Sequence, residues 1–198
     1  MPYQEKKFDI PDLKGLSAKQ VEVHLGLYSG YVKHVNLIRE KIVELEQDKE
    51  KNSYLIAEIL RRFAFEFNGM RMHEYYFDQF VGGHSEWNKE GNLAKLVSSK
   101  YGSPDAFIEH LKAVAMSRGI GWAVLYHDPM GNVPHTVFVG DHELGQLAGL
   151  PILIALDMWE HAYMVDYTPS EKKQYIDAFL ANLNWNIVEE RMKKATAF

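Results

Sequence analysis

The chain contains no cysteine. That excludes disulfides, thiolate metal sites and a cysteine nucleophile, so any metal must be held by His, Asp or Glu. No apolar run is long enough to span a membrane. The N-terminus, Met1-Pro-Tyr-Gln-Glu-Lys-Lys7, lacks the apolar segment of an export signal, and a cytoplasmic location is expected. Positive charge is scarce: 22 Lys and Arg stand against 27 Asp and Glu, a net charge of −5. This argues against a general nucleic-acid binder. It also means that the molecule as a whole repels anions, so a small anionic substrate needs a locally positive approach. No internal repeat and no low-complexity tract is visible. Apolar residues are plentiful, at 46% with 13% aromatic, over 198 residues. That suffices for a dense core in one compact domain or two small ones.

After a Pro- and Gly-containing arm, Ser17 can cap a helix. Val21, His24, Tyr28, Tyr31, Val35, Ile38, Ile42 and Leu45 then recur in steps of three and four, the pattern of one long amphipathic helix. Gly26 and Gly30 interrupt it and could admit a close neighbour. A second helix is expected over 53–80, with Leu55, Ile56, Ile59, Leu60, Phe63, Phe67, Met70 and Tyr76 on its apolar face, ended by Val81-Gly-Gly83. Shorter helices are expected over 93–101 and 104–116, and strands over 121–126, 136–139 and 150–156. Asp128–Asn132 carries turn residues, and two closing helices are expected over 170–183 and 185–194. The fold class is therefore α+β: an N-terminal antiparallel helical hairpin, then an α/β unit with a small three-stranded antiparallel sheet. The expected domains are 1–83 and 84–198.

The strand Leu150–Leu156 runs into Asp157-Met-Trp-Glu-His161-Ala-Tyr163. An unpaired buried carboxylate costs several kcal/mol, so Asp157 needs a cation. A metal shared with His161, four residues on, would supply it. A capped helix start with a core histidine is the other reading of these residues.

The segment Asp157-Met-Trp-Glu-His-Ala-Tyr163 resembles the D-x-W-E-H-A-Y signature of the iron/manganese superoxide dismutases. Phe67-Asn-Gly-Met-Arg-Met-His73 is similar to that family's second metal motif. The segment from His24 through Tyr31 to Asn36 is similar to its first, and Gly119-Ile-Gly-Trp122-Ala to its G-x-G-W-A. The resemblance implies one iron or manganese ion per subunit held by His24, His73, Asp157 and His161, with superoxide as substrate. It implies Tyr31 as a gate residue relaying protons and Trp122 and Trp159 as walls. His142, in Val139-Gly-Asp-His-Glu143, takes the place of the group that hydrogen-bonds bound solvent, since Gly69, at the alternative position, cannot donate. It also implies that Glu160 reaches the matching histidine of a second chain, giving a homodimer or a tetramer, with no nucleic acid or membrane partner. His34, His84, His110, His127 and His135 are read as surface or core residues without a metal role.

Some positions depart from the family. His24 precedes Tyr31 by seven residues, one fewer than usual. Seven is nearly two regular turns, so an undistorted helix keeps both on one face. The usual spacing needs a local bulge, and this chain is expected to have lost it. Met164 stands where a second Tyr is usual, Tyr28 or Leu27 where a His is usual, and Phe77 where Trp is common. These leave two rivals: a noncatalytic dimeric relative with a structural or lost metal site, and a mononuclear iron oxygenase on the same scaffold.

Overall fold

The computed structural model describes residues 1–195. Helix α1, Ala18–Leu45, starts where the Ser17 side chain accepts a hydrogen bond from Gln20 N. It buries Gln20, His24, Tyr28, Val32 and Val35, a stripe stepping by four and three. Helix α2, Ser53–Asp78, returns alongside it after a short turn at Glu46–Asp48. Leu55 and Leu60, expected on its packed face, are exposed instead. Leu55 falls about 100° from Ile56 on the helix, and before Glu66 only Ile56 of α2 is buried. Nothing lies within 4 Å of a Cβ built on Gly26 or Gly30, so neither admits a close neighbour within this chain.

Gly82 and Gly83, at φ +74° and +81°, turn the chain out of α2. Helices α3 (Asn92–Tyr101) and α4 (Pro104–Ala115) lead into the sheet. Its strands are β1 (Gly121–Asp128), β2 (Val133–Gly140) and β3 (Ile152–Asp157), all antiparallel, in the order β2-β1-β3. The hairpin strands outrun their apolar runs because pairing continues from Gly121 with Gly140 to Asp128 with Val133. Leu150 and Pro151 precede β3 rather than belonging to it. Gly121 is fixed by contact: a Cβ there would lie 2.0 Å from the Val139 carbonyl oxygen. Helices α5 (Lys172–Asn182) and α6 (Trp185–Ala195) close the chain. One apolar cluster runs from Tyr28 of α1 through Phe77 of α2 and Trp122 and Ile154 of the sheet to Phe179 of α5. No helix among the described residues is long and apolar enough to cross a membrane.

Strand β3 is an edge, and edges need cover. The buried Gln79 supplies it. Its Nε2 donates to Ala155 O at 2.8 Å and its Oε1 accepts from Ala155 N at 2.9 Å, the pattern of a neighbouring strand. Arg191 Nη1 donates to Leu153 O at 3.0 Å. Gln79→Leu would strand two buried backbone groups, at about 1–3 kcal/mol each before relaxation. We expect the variant to lose about 2 kcal/mol in denaturant unfolding. An unchanged midpoint would mean that Gln79 does not hold this edge.

Candidate metal centre

Three elements aim four side chains at one point. α1 brings His24, α2 brings His73 and the end of β3 brings Asp157, at 2%, 0% and 0% exposure. Beyond β3 the backbone does not enter an α-helix. Trp159 N donates to Asp157 Oδ1 at 2.8 Å, and a single 3-10 turn, Glu160–Ala162, carries His161 back over the carboxylate. The Nε2 atoms of His24, His161 and His73 lie 3.0, 3.3 and 3.6 Å from Asp157 Oδ2. One ligand atom from each of the four residues lies within 4.8 Å of every other.

The donor set suits a hard or borderline cation such as iron or manganese. His73 Nδ1 lies 2.7 Å from Gly69 O. A carbonyl only accepts, so Nδ1 carries the hydrogen and Nε2 presents its lone pair to the cluster. The Nε2 atoms of His73 and His161 are buried without a hydrogen-bond partner. Burial pushes both His24 and His73 toward the neutral form, which is the ligating form. Burial alone would raise the Asp157 carboxyl, but His161 and then His24 outweigh it and hold the group well below the usual carboxylate range. Two buried ring nitrogens without a hydrogen-bond partner, on His73 and His161, beside one ionised carboxylate are a cluster that a cation completes.

One side of the cluster is walled by rings. Tyr31 lies 5.0 Å from His73 between ring centroids. Trp159 is stacked on His161 at 5.6 Å, and Trp122 meets His73 edge-on at 5.1 Å. His142 is 0% exposed, not a solvated loop residue. Trp122 Nε1 lies 3.0 Å from His142 Nδ1, and an indole nitrogen can only donate. Nδ1 therefore accepts, and the neutral ring carries its hydrogen on Nε2, which donates to Tyr31 Oη at 2.7 Å. Burial drives His142 down to about 4, consistent with that neutral form. Burial, reinforced by Asp157, drives the Tyr31 hydroxyl up, so it stays protonated.

Helix α1 is α-helical without interruption from Ala18 to Leu45. The seven-residue spacing thus puts His24 in the cluster and Tyr31 beside it with no bulge. A Cβ on Gly69 would lie 2.6–2.7 Å from the Tyr31 ring. Glu160 is exposed next to His161, and Met164 is 49% exposed. Tyr28 rather than Leu27 lies on the buried stripe, its hydroxyl engaged by Lys6 N and Glu74. The five remaining histidines lie outside the cluster.

Two residues at the site were not singled out in the sequence. Phe65 lies 4.6 Å from His142 and 6.2 Å from Tyr31. Gln20, four residues before His24, is 2% exposed. A polar residue on the buried stripe was its available signal; Phe65 had none beyond its place on α2.

The model of the iron/manganese superoxide dismutase C-terminal domain matches residues 89–191. A superoxide dismutase [Fe] from Aquifex pyrophilus is 35% identical over 93% of this chain and 87% of its own length. One from Saccharolobus solfataricus is 31% identical over 96% of each. A superoxide dismutase [Mn/Fe] from Aeropyrum pernix is 28% identical over 87% of this chain and 80% of its own.

Proposed function

The chain belongs to the iron/manganese superoxide dismutases, and from that membership we propose that His24, His73, Asp157 and His161 hold its one iron or manganese ion. The enzyme converts two superoxide ions and two protons into dioxygen and hydrogen peroxide. The observation that carries the ligand set is the buried, unpartnered Nε2 atoms of His73 and His161 facing Asp157 Oδ2. When bound there, the ion would supply a redox couple between the +3 and +2 states.

The chain's own residues supply protons and exclude water. His142 donates from Nε2 to Tyr31 Oη, leaving the hydroxyl hydrogen of Tyr31 to point toward substrate or bound solvent. Tyr31 is then the donor to departing peroxide. His142, expected to hydrogen-bond bound solvent itself, accepts from Trp122 at Nδ1 and gives its one hydrogen to Tyr31, so it fixes the donor's position instead. Trp122 and Trp159 keep bulk water off the ligands and orient them. The seven-residue spacing no longer favours a noncatalytic relative, because His24 Nε2 lies 3.0 Å from Asp157 Oδ2. The crowded rings leave an oxygenase's organic cosubstrate no supporting observation.

The homodimer is proposed on the exposed Glu160 beside His161, which suits a carboxylate meeting the matching histidine of a second chain. A cytoplasmic setting and a division into residues 1–83 and 84–198 are proposed too, the latter supported by the turn at Gly82-Gly83. Metal content measured beside superoxide decay for iron- and manganese-reconstituted protein tests the ligand set and the activity. Stoichiometric metal with no decay above that of the free ions would overturn the activity.

Superoxide is an anion and the chain is acidic, so the approach to Tyr31 needs local positive charge. Arg62 lies over Phe65, its Cζ 3.7 Å from the ring centroid. Its partner Glu66 is buried while the guanidinium side chain is 53% exposed, so the solvent side of the pair is positive. Arg62→Gln should lower kcat/KM about threefold at low ionic strength, and the gap should close near ~0.5 M salt. A salt-independent difference would rule out steering by Arg62.

A further inference from the structure

The buried amide of Gln20 is not part of the ligand set, yet both of its ends are used on the segment that carries His161. Nε2 donates to the His161 carbonyl oxygen at 2.7 Å, and Oε1 accepts from Val165 N at 3.0 Å. Met164 N on Glu160 O at 2.9 Å closes the turn that joins them, and Tyr167 N on Tyr163 O at 2.8 Å holds the chain just beyond. Gln20 lies one helical turn before His24 on the same face of α1. One rigid helix therefore carries both the His24 ring and the amide that grips the His161 backbone.

We propose that Gln20 is a positioning residue that fixes His161 relative to His24 and so sets the opening of the metal cavity. This rests on reading both histidines as ligands. No other side chain is recorded bonding the His161 carbonyl among the described residues. Outer partners that orient a ligand typically change metal affinity by about 10–100-fold when removed. Gln20 acts on the ligand's backbone, so the low end of that range applies.

A matched control exists in the same molecule. Asn182 clamps Lys14 in the same manner, accepting from Lys14 N at 2.8 Å and donating to Lys14 O at 2.7 Å, and it belongs to no ligand segment. Both Gln20→Met and Asn182→Leu remove a buried amide clamp, and both should lower the unfolding midpoint. Only Gln20→Met should release iron to a chelator about tenfold faster and change the rhombicity of the ferric electron paramagnetic resonance signal. Gln20→Glu keeps an acceptor for Val165 N but has no hydrogen for the His161 carbonyl, and should fall between wild type and Gln20→Met. It also serves if the Met variant does not fold.

In metal-free protein, the His161 ring signals of Gln20→Met should shift and the Val165 amide should exchange faster. Wild-type metal release, spectra and His161 signals in both Gln20 variants would overturn the positioning role. Failure of the wild-type protein to bind metal would instead overturn the ligand reading, and the metal-free measurements would still decide on Gln20.

Discussion

Asp157→Ala is expected to purify without iron or manganese and to lose more than about a hundredfold in activity, since even outer partners of ligands cost 10–100-fold. Asp157 Oδ2 is the atom on which all three imidazoles converge, at 3.0, 3.3 and 3.6 Å. Removing the carboxylate takes away the only anionic donor of the cluster. The metal-free protein should suffer too. Asp157 Oδ2 is the hydrogen-bond partner of the buried His24 Nε2 at 3.0 Å, and leaving a buried polar group without its partner costs about 1–3 kcal/mol.

The sign with pH follows from the depressed carboxyl. Its stabilising contribution is complete above the unfolded value near 4 and is lost as pH falls from there toward the lower folded value. Metal-free wild type should therefore weaken through that acid window, and metal-free Asp157→Ala should lack this part of the slope. Elemental analysis, an activity assay and urea titrations at several pH values check all of this. A metallated, active Asp157→Ala protein would exclude the ligand set.

Gly69→Ala is the second. In an open helical position this change stabilises by roughly 0.5–1 kcal/mol, and Gly26→Ala, with nothing within 4 Å, should do so in this chain. At Gly69 the new methyl would lie 2.6–2.7 Å from two carbons of the Tyr31 ring. Tyr31 cannot move without breaking its 2.7 Å bond to His142. Overpacking costs about 1–3 kcal/mol, and the lost hydrogen bond about 1 more. The net expectation is a loss of about 2 kcal/mol, opposite in sign to Gly26→Ala. Activity should fall about 10- to 100-fold, because the displaced hydroxyl is the proposed proton donor. Paired denaturation curves of the two variants give the sign, and a stabilised, fully active Gly69→Ala protein would show that Tyr31 has another place to stand.

The sequence by itself determined the order of elements, through apolar steps of three and four in α1 and α2 and through the turn residues between β1 and β2. Its motifs, by their resemblance to a known family, also marked the four candidate ligands and Tyr31, and one regular helix fixes the faces of His24 and Tyr31 whatever packs against it. Leu55 and Leu60 were misplaced because a periodic pattern does not say how far along a helix its partner reaches. His161 and Asp157 were four residues apart in the letters, but a 3-10 turn after a strand, not an α-helix, brings them together. Tertiary structure alone decided the roles of Gln20 and Gln79, whose bonding partners lie 141 and 76 residues away. It also decided the tautomer of His142. A side-chain amide or imidazole takes its meaning from what faces it, and no periodicity along the chain encodes that.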